Sequence, residues 1–359
     1  MMNQLFVLII TIVLTAALTF ALTILFESVR AKIKEENEKR RVRDAEINLE
    51  KVAEFMQPIK VLQFLPYDET KKSMISVRLL GEKHPNAYIE GIISRHRGVW
   101  EKEIGAYNNE IYGVAKVDSY RITEKEEPFI VIEGYSVKYY EFLATNANVK
   151  IRNDLDQEEK EWLNSRIQNF DPYFPVQEFA NPLSVEVLLL CENRRKAVLP
   201  VRSGKTVFRG DKLGASVMET VSPLLEVNDK INKEIDVYEV IKRGVKEELG
   251  ISSEEIKGIF VTSLAFDEEV LDYKFTAVVD SILSQEEVQR RFDLGLASDR
   301  WENKILKFFK FPPDATDISE IRKNASPEAM AAVIMAEAYL YGWKRLERGT
   351  FGPILTINL

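Results

Sequence analysis

Cysteine and histidine are scarce in this 359-residue chain, which contains one cysteine and two histidines. Without Cys/His clusters, a disulfide framework and a zinc-finger array are both excluded. Cys191 follows the apolar run at residues 187–190, so we expect a buried strand residue rather than a nucleophile. With only His84 and His96 present, a Ser-His-Asp or Cys-His catalytic site has few candidates.

The chain also lacks an excess of basic residues. It has 49 Lys and Arg residues against 57 Asp and Glu residues, a formal net charge of -8. This balance argues against binding to a DNA or RNA duplex, which needs a basic surface. The apolar share of 45% is ordinary and supports a buried core, and the length fits two domains or one domain with additions.

Charge is missing altogether from residues 5–26. This stretch matches the ~20 apolar residues that a helix needs to cross a bilayer. No basic residue precedes it and no small-residue cleavage site follows it, so we interpret it as a retained transmembrane anchor. Seven basic residues follow between positions 30 and 43. The positive-inside rule then predicts a single-pass protein of the inner (cytoplasmic) membrane, with its N-terminus outside and the bulk of the chain in the cytoplasm.

The apolar pattern predicts an α+β chain of four parts. These are a transmembrane anchor at 1–26, a charged helical stalk at 27–57, a mixed α/β middle region at 58–181 and a further domain at 182–359. The stalk is compatible with a solvated spacer helix or with a self-associating coiled coil. In the middle region, strands are predicted at 61–65, 75–80, 87–93, 111–117 and 129–132, and helices at 139–144 and 157–168.

Strands and helices also alternate in the last part of the chain. Strands are predicted at 185–190, 196–201, 259–266 and 273–281, and helices at 284–291, 298–309 and 326–348. The first two strands frame a hairpin around residues 192–195. Ser326 and Pro327 suit the start of the final helix, as N-cap and first-turn residue.

Residues 236–251 predict one short amphipathic helix with both ends marked. Asp236 suits the N-cap with Glu239 three residues later, as a capping box requires, and Gly250 suits the stop. Gly244 lies in the helix interior, where glycine costs about 1 kcal/mol relative to alanine. We therefore expect another backbone or a ligand to approach closely at Gly244.

The C-terminal turn of this helix is unusually acidic. Glu247 and Glu248 oppose the helix dipole, which prefers cations at that end. Two adjacent carboxylates beside Arg243 would seat a hard cation such as magnesium, which takes oxygen ligands. The alternative is an ordinary amphipathic surface helix.

A basic loop precedes the helix and contains Arg202, Lys205 and Arg209. These side chains are candidates for binding the phosphates of a ligand, with a metal bridging the phosphates to the acidic pair. The alternative is a solvated turn.

The segment RGVKEELGI at 243–251 resembles the second half of the Nudix box, whose core reads Arg-Glu-hydrophobic-x-Glu-Glu-x-Gly-hydrophobic. Residues 214–219, GASVME, resemble the preceding glycine-rich loop, at a longer spacing than usual. Gly244 departs from the pattern, because the family has a metal-binding glutamate there. The resemblance implies a Nudix-like mixed sheet between helices over 182–359, with magnesium as the cofactor. It implies metal ligands Glu247, Glu248 and Glu219, and catalytic residues Glu247, Glu248 and Arg243.

The whole arrangement, one membrane helix, a charged stalk and a divergent Nudix-like domain, resembles the membrane-anchored Nudix effectors of bacterial CBASS antiphage systems. That resemblance implies a homo-oligomer that binds a nucleotide-type small molecule and perturbs the lipid bilayer. Three functions remain open. They are a sensor that binds its ligand without hydrolysing it, which Gly244 favours, a magnesium-dependent hydrolase of a nucleoside diphosphate derivative, and a catalytically inert scaffold.

Overall fold

The computed structural model describes residue 53 and residues 56–104, 108–120, 128–146, 155–168, 170–204, 206, 209–226 and 233–343. The predicted anchor at 1–26 lies outside these residues, as does nearly all of the predicted stalk at 27–57. Among the helices of the described ranges, none is long and apolar enough to cross a bilayer.

Strands and helices both contribute to the fold, as the α+β prediction requires. The strands in the described ranges are β1 (Ile59–Asp68), β2 (Ile75–Glu82), β3 (Glu110–Tyr120), β4 (Phe129–Lys138), β5 (Leu183–Cys191), β6 (Lys196–Arg202), β7 (Val217–Thr220), β8 (Glu234–Ile235), β9 (Ile256–Asp267), β10 (Asp272–Ser281) and β11 (Asn303–Lys310). The α-helices are α1 (Ala87–Val99), α2 (Tyr139–Ala144), α3 (Gln157–Ile167), α4 (Pro223–Glu226), α5 (Val237–Leu249), α6 (Gln285–Asp293), α7 (Ala315–Asn324) and α8 (Pro327–Tyr341).

The larger sheet has seven strands in the order β1, β9, β10, β5, β6, β11, with β7 also paired to β5. β10 and β5 run parallel, and the other neighbours run antiparallel. The β5–β6 pair confirms the predicted hairpin around residues 192–195. This mixed sheet places the start of β7 beside α5.

β5 explains why the larger sheet is covered on both faces. Successive side chains on a strand point to opposite faces. Val185 and Val187 therefore join the core that contains the apolar side of α5, whereas Leu188 and Leu190 join the core that contains α8. The sheet lies between helices, which confirms the predicted arrangement and accounts for the nearly continuous apolar sequence of β5.

The smaller sheet has four strands in the order β3, β4, β2, β8. Ile89 and Ile92 of α1 pack in the same core as Val77 of β2 and Ile132 of β4. β8 follows residue 182 in the chain, yet it pairs with β2. β1 precedes residue 182, yet it pairs with β9 in the larger sheet. The two sheets therefore exchange strands across the predicted boundary between residues 181 and 182. β1 joins the larger sheet and β8 joins the smaller one.

Two predicted elements are wrong. Residues 87–93 are part of α1 rather than a strand, because the Asn86 side chain caps a helix by accepting the backbone N–H groups of Tyr88 and Ile89. Residues 298–309 are not helical either. A short 3₁₀ turn at Arg300–Glu302 leads into β11, which is a strand because it pairs with the edge of β6.

Candidate functional site

Both ends of α5 lie where the sequence predicts them. Asp236 accepts the backbone N–H of Tyr238 at 3.0 Å, and Gly250 ends the helix with a left-handed φ of 68°. The predicted capping box does not close, because the Glu239 carboxylate pairs with Lys242 at 2.9 Å instead. The helix is nevertheless fixed at both ends, which sets the direction of its last acidic turn.

Gly244 faces β7 at a distance that admits no side chain. A Cβ atom at this position would lie 2.7 Å from Cγ1 of Val217 and 3.0 Å from Cβ of Glu219. The neighbour is therefore β7, whose side-chain atoms approach Gly244, rather than the backbone or ligand that the sequence led us to expect. A glutamate at 244, which the Nudix pattern requires, would displace β7 from the helix.

Arg243 is the centre of the acidic site. Its Nη1 lies 3.0 Å from Glu219 Oε1 and 2.8 Å from Glu247 Oε2. Its Nε donates to Glu226 Oε1 at 2.8 Å, and Nη2 donates to the carbonyl oxygen of Thr220 at 3.3 Å. The guanidinium therefore orients three carboxylates at once, which its fixed fork of donors allows.

Glu226 belongs to the candidate site, although the sequence did not indicate it. It lies in α4, 17 positions before Arg243, and only 3% of its side chain is exposed. Its Oε2 also accepts the backbone N–H of Ser222 at 2.6 Å. No spacing rule links α4 to α5, so only the folded chain brings this carboxylate to the arginine.

Glu248 points into the protein rather than towards Arg243. It is 2% exposed, and its Oε1 accepts the backbone N–H of Met218 at 2.8 Å. Its Oε2 accepts from Nδ2 of Asn303 at 3.4 Å. Burial, together with the nearby charge of Glu302, raises the pKa of Glu248 to about 8.

Glu219 is a second carboxyl group of the site whose pKa is raised. Burial raises its pKa to about 7, the neighbouring Glu247 charge contributes, and Arg243 opposes the rise. Burial also raises the pKa of Glu226, again against the effect of Arg243. One arginine thus compensates only part of the charge on three carboxylates.

Two basic residues of the predicted phosphate-binding loop lie at different sites. Arg202 joins the acidic site, where Nη2 lies 3.2 Å from Glu302 Oε2 and Nη1 lies 3.4 Å from the sulfur of Met218. Arg209 instead contacts Asp267, Glu269 and Glu328 in a separate ion cluster on the α8 side of the sheet. Lys205 lies outside the described residues.

Magnesium takes several oxygen ligands in a near-octahedral arrangement. Within the part of the chain that the structure describes, no group of three or more His, Cys, Asp or Glu side chains is placed so that it could hold a metal ion. The predicted ligands are committed elsewhere, Glu219 and Glu247 to Arg243 and Glu248 to the Met218 amide. In this arrangement they do not fit a magnesium ion, and the magnesium site stays a prediction.

No protein-family model matches this chain, and no curated protein matches it. Solved structures that match include DR0079 from Deinococcus radiodurans, at 12% identity over 44% of this chain and 83% of that one, with a TM-score of 0.30. A mutT/nudix family protein from Listeria innocua matches at 14% identity over 46% and 98%, with a TM-score of 0.28. A NUDIX family hydrolase from Clostridium perfringens matches at 14% identity over 44% and 97%, with a TM-score of 0.25.

Proposed function

We propose that this chain is a membrane-anchored protein whose Nudix-like domain binds a nucleotide-type ligand without hydrolysing it. The observation that supports a binding role over turnover is the packing of Gly244 against β7. The metal-binding glutamate of the Nudix pattern is absent at this position, and a side chain added there would force Val217 or Glu219 of β7 to shift.

The remaining carboxylates support the same proposal. Metal-assisted hydrolysis needs carboxylate oxygens that are free to hold a cation. Here one oxygen each of Glu219, Glu226 and Glu247 contacts Arg243, and Oε1 of Glu248 accepts the amide hydrogen of Met218. These contacts stabilise the α5–β7 packing, so the acidic site holds the fold together at the position where the family carries out its chemistry.

Arg202 is the residue proposed to contact the ligand. Its guanidinium stays charged at all relevant pH values and can bind a phosphate through two parallel hydrogen bonds. Burial raises the pKa of its partner Glu302, against the effect of Arg202, so burial disfavours the charged carboxylate. A more acidic anion such as a phosphate is proposed to replace it. Binding at Arg202 would compete directly with Glu302.

The proposed anchor at residues 5–26 would link ligand binding to an effect on the membrane. Ligand-driven self-association of the cytoplasmic part would gather anchors in the membrane, since linked sites raise each other's effective concentration. The chain would then act as an antiphage effector that perturbs the bilayer when it senses its ligand.

A hydrolase is the second candidate, and one observation favours it. The pKa values of Glu219 and Glu248 are raised to about 7 and about 8 by burial. Perturbed acids of this kind cluster at active sites, and a bound cation would restore their ionised form. For this candidate the carboxylates would have to leave Arg243 and the Met218 amide.

The test uses the full chain in lipid nanodiscs with magnesium and a mixture of nucleoside diphosphate derivatives and cyclic oligonucleotides. Mass spectrometry reports which compounds are consumed and which are retained intact on the protein. We expect retention without consumption, and a loss of retention of at least tenfold in the Arg202→Gln variant. Lys257→Gln, a change at an exposed lysine of β9, is the matched control and should retain the ligand.

Two outcomes would overturn the proposal. Consumption that Glu247→Gln abolishes would show a hydrolase. An absence of both consumption and retention would leave the inert scaffold.

A further inference from the structure

A cavity of about 340 Å³ opens in the smaller sheet, away from the α5 site. It lies between the ends of β2 and β4, the first turns of α1 and the start of α2. Volumes of this size hold small organic ligands. Nothing in the acidic α5 site uses these residues, so the cavity is a separate feature of the middle region. Its charged lining residues are Glu82, Lys83, His84, Glu90, Glu110, Lys138 and Glu141.

The lining of the cavity carries more negative than positive side chains, apart from one ion pair whose two charges cancel. Lys138 and Glu110 neutralise each other at 2.8 Å, and Ser136 donates to the other oxygen of Glu110 at 3.1 Å. Three carboxylates, those of Glu82, Glu90 and Glu141, then remain beside Lys83 and His84. A polyphosphate would be repelled by this lining, whereas a small organic cation would be attracted.

Glu141 is the polar group at the bottom of the cavity. It is 2% exposed, and its Oε1 accepts the backbone N–H of Lys138 at 2.8 Å. Among the described residues, no side chain forms an ion pair with it and no group donates a hydrogen bond to its Oε2. Lys83, His84 and Lys138 lower the pKa of this carboxyl from a distance, but none of them forms an ion pair with it. A buried carboxylate without a direct partner is costly.

Lys83 does not fill that role. Its Nζ donates to the carbonyl oxygen of Phe179 at 2.9 Å. Burial lowers the pKa of this lysine, and burial raises the pKa of Glu141, so each group lacks full compensation. Both shifts agree with the geometry, in which the buried carboxylate and the buried amine have no direct contact.

We propose that this cavity binds a small aliphatic polyamine, with one ammonium group on Glu141 and a second between the rim carboxylates of Glu82 and Glu90. Glu141 is buried and the two rim glutamates are exposed, so the acids lie at two depths. A linear diamine or triamine can span such depths, whereas a single point charge cannot. The ammonium on Glu141 supplies a direct ion-pair partner and donates to Oε2. This inference is independent of the nucleotide-binding function proposed above.

The experiment titrates spermidine into the full chain in nanodiscs by isothermal calorimetry, at pH 7.5 and physiological salt. Physiological salt screens loose attraction to a negative protein surface, so saturable binding under these conditions reports a built site. We expect one site per chain and weaker binding of putrescine, which has one ammonium group fewer.

Glu141→Gln is the informative variant, because its amide oxygen can still accept the Lys138 N–H that caps α2. It should lose spermidine affinity by at least tenfold while keeping or raising the melting temperature, since a neutral group replaces a buried charge. Glu158→Gln, an exposed change in the first turn of α3, is the matched control and should bind spermidine normally.

Three results would overturn the inference. They are no saturable spermidine binding, equal affinity in Glu141→Gln and the parent, or saturable binding of inorganic pyrophosphate titrated alone, which would indicate an anion site.

Discussion

Gly244 allows a sharp test of the packing between α5 and β7. Glycine to alanine in a helix interior normally stabilises by about 1 kcal/mol. At Gly244, however, the new Cβ would lie 2.7 Å from Val217 Cγ1, inside the contact distance of two carbon atoms. Overpacking a close-packed site costs roughly 1 to 3 kcal/mol. Gly244→Ala should therefore be destabilising by ~0 to 2 kcal/mol net of its helix propensity, and Gly244→Glu should cost more.

The chain supplies its own control for this measurement. Gly91 also lies inside a helix, α1, and a Cβ there would meet only Arg95 Nη1, at an ordinary 3.5 Å. Gly91→Ala should therefore stabilise the protein by up to about 1 kcal/mol. Urea unfolding of both variants beside the parent, followed by circular dichroism, gives the comparison. Equal stabilisation by the two alanines would refute the proposed contact between Gly244 and β7.

Three further outcomes are expected. Lys274→Met should destabilise the protein by roughly 3 to 5 kcal/mol in urea unfolding, because it leaves Glu186 and Asp272 buried without their shared cation; a cost below about 1 kcal/mol would contradict that role. Glu248 has a folded-state pKa raised from 4.5 to about 8, so the folded state binds the extra proton and stability should fall as pH rises from about 5 to 8; the Glu248→Gln variant should flatten this dependence in urea midpoints measured across that range. Burial raises the pKa of the Cys191 thiol to about 12, so an aromatic disulfide reagent at pH 8 should modify it only as fast as the protein unfolds, and rapid labelling of the native protein would show an accessible thiol.

Local signals explain the elements that the sequence predicts correctly. Asp236 and Gly250 mark the ends of α5 through contacts within a few residues, and Ser326 caps α8 by accepting the N–H of Ala329. Such contacts depend only on the nearby sequence. The mistaken helix at 298–309 failed for the opposite reason. β11 is a strand because of its pairing with β6, about a hundred residues earlier in the chain.

In the candidate site too, contacts between residues close in sequence could be predicted, and contacts between distant residues could not. Arg243 and Glu247 are one helical turn apart, so their pairing could be predicted from spacing alone. Glu226 and Glu302 reach the site from α4 and from the turn before β11, through folding that no motif encodes. The burial of Glu248 was equally hidden, since it depends on β7 and Asn303 covering the last turn of α5.

The charged cluster around Lys274 shows a different limit of sequence reasoning. An alternating strand with charges on one side normally exposes that side to water. In β10, Lys274 and Asp272 are instead covered, with Lys274 only 3% exposed. The first turn of α8 brings Glu328 into the same cluster. Only the placement of α8 over this face turns an expected surface into an interior ion cluster.

Phosphorus NMR tests the central claim most directly. The full chain in nanodiscs, with magnesium present, would be mixed with a nucleotide ligand that the mass spectrometry identifies as retained. The proposed function predicts that the ligand resonances shift or broaden while no new phosphate resonance grows over hours, because the acidic site has no free carboxylate set for hydrolysis. New phosphate resonances that are lost in Glu247→Gln would contradict the claim and assign the chain as a hydrolase.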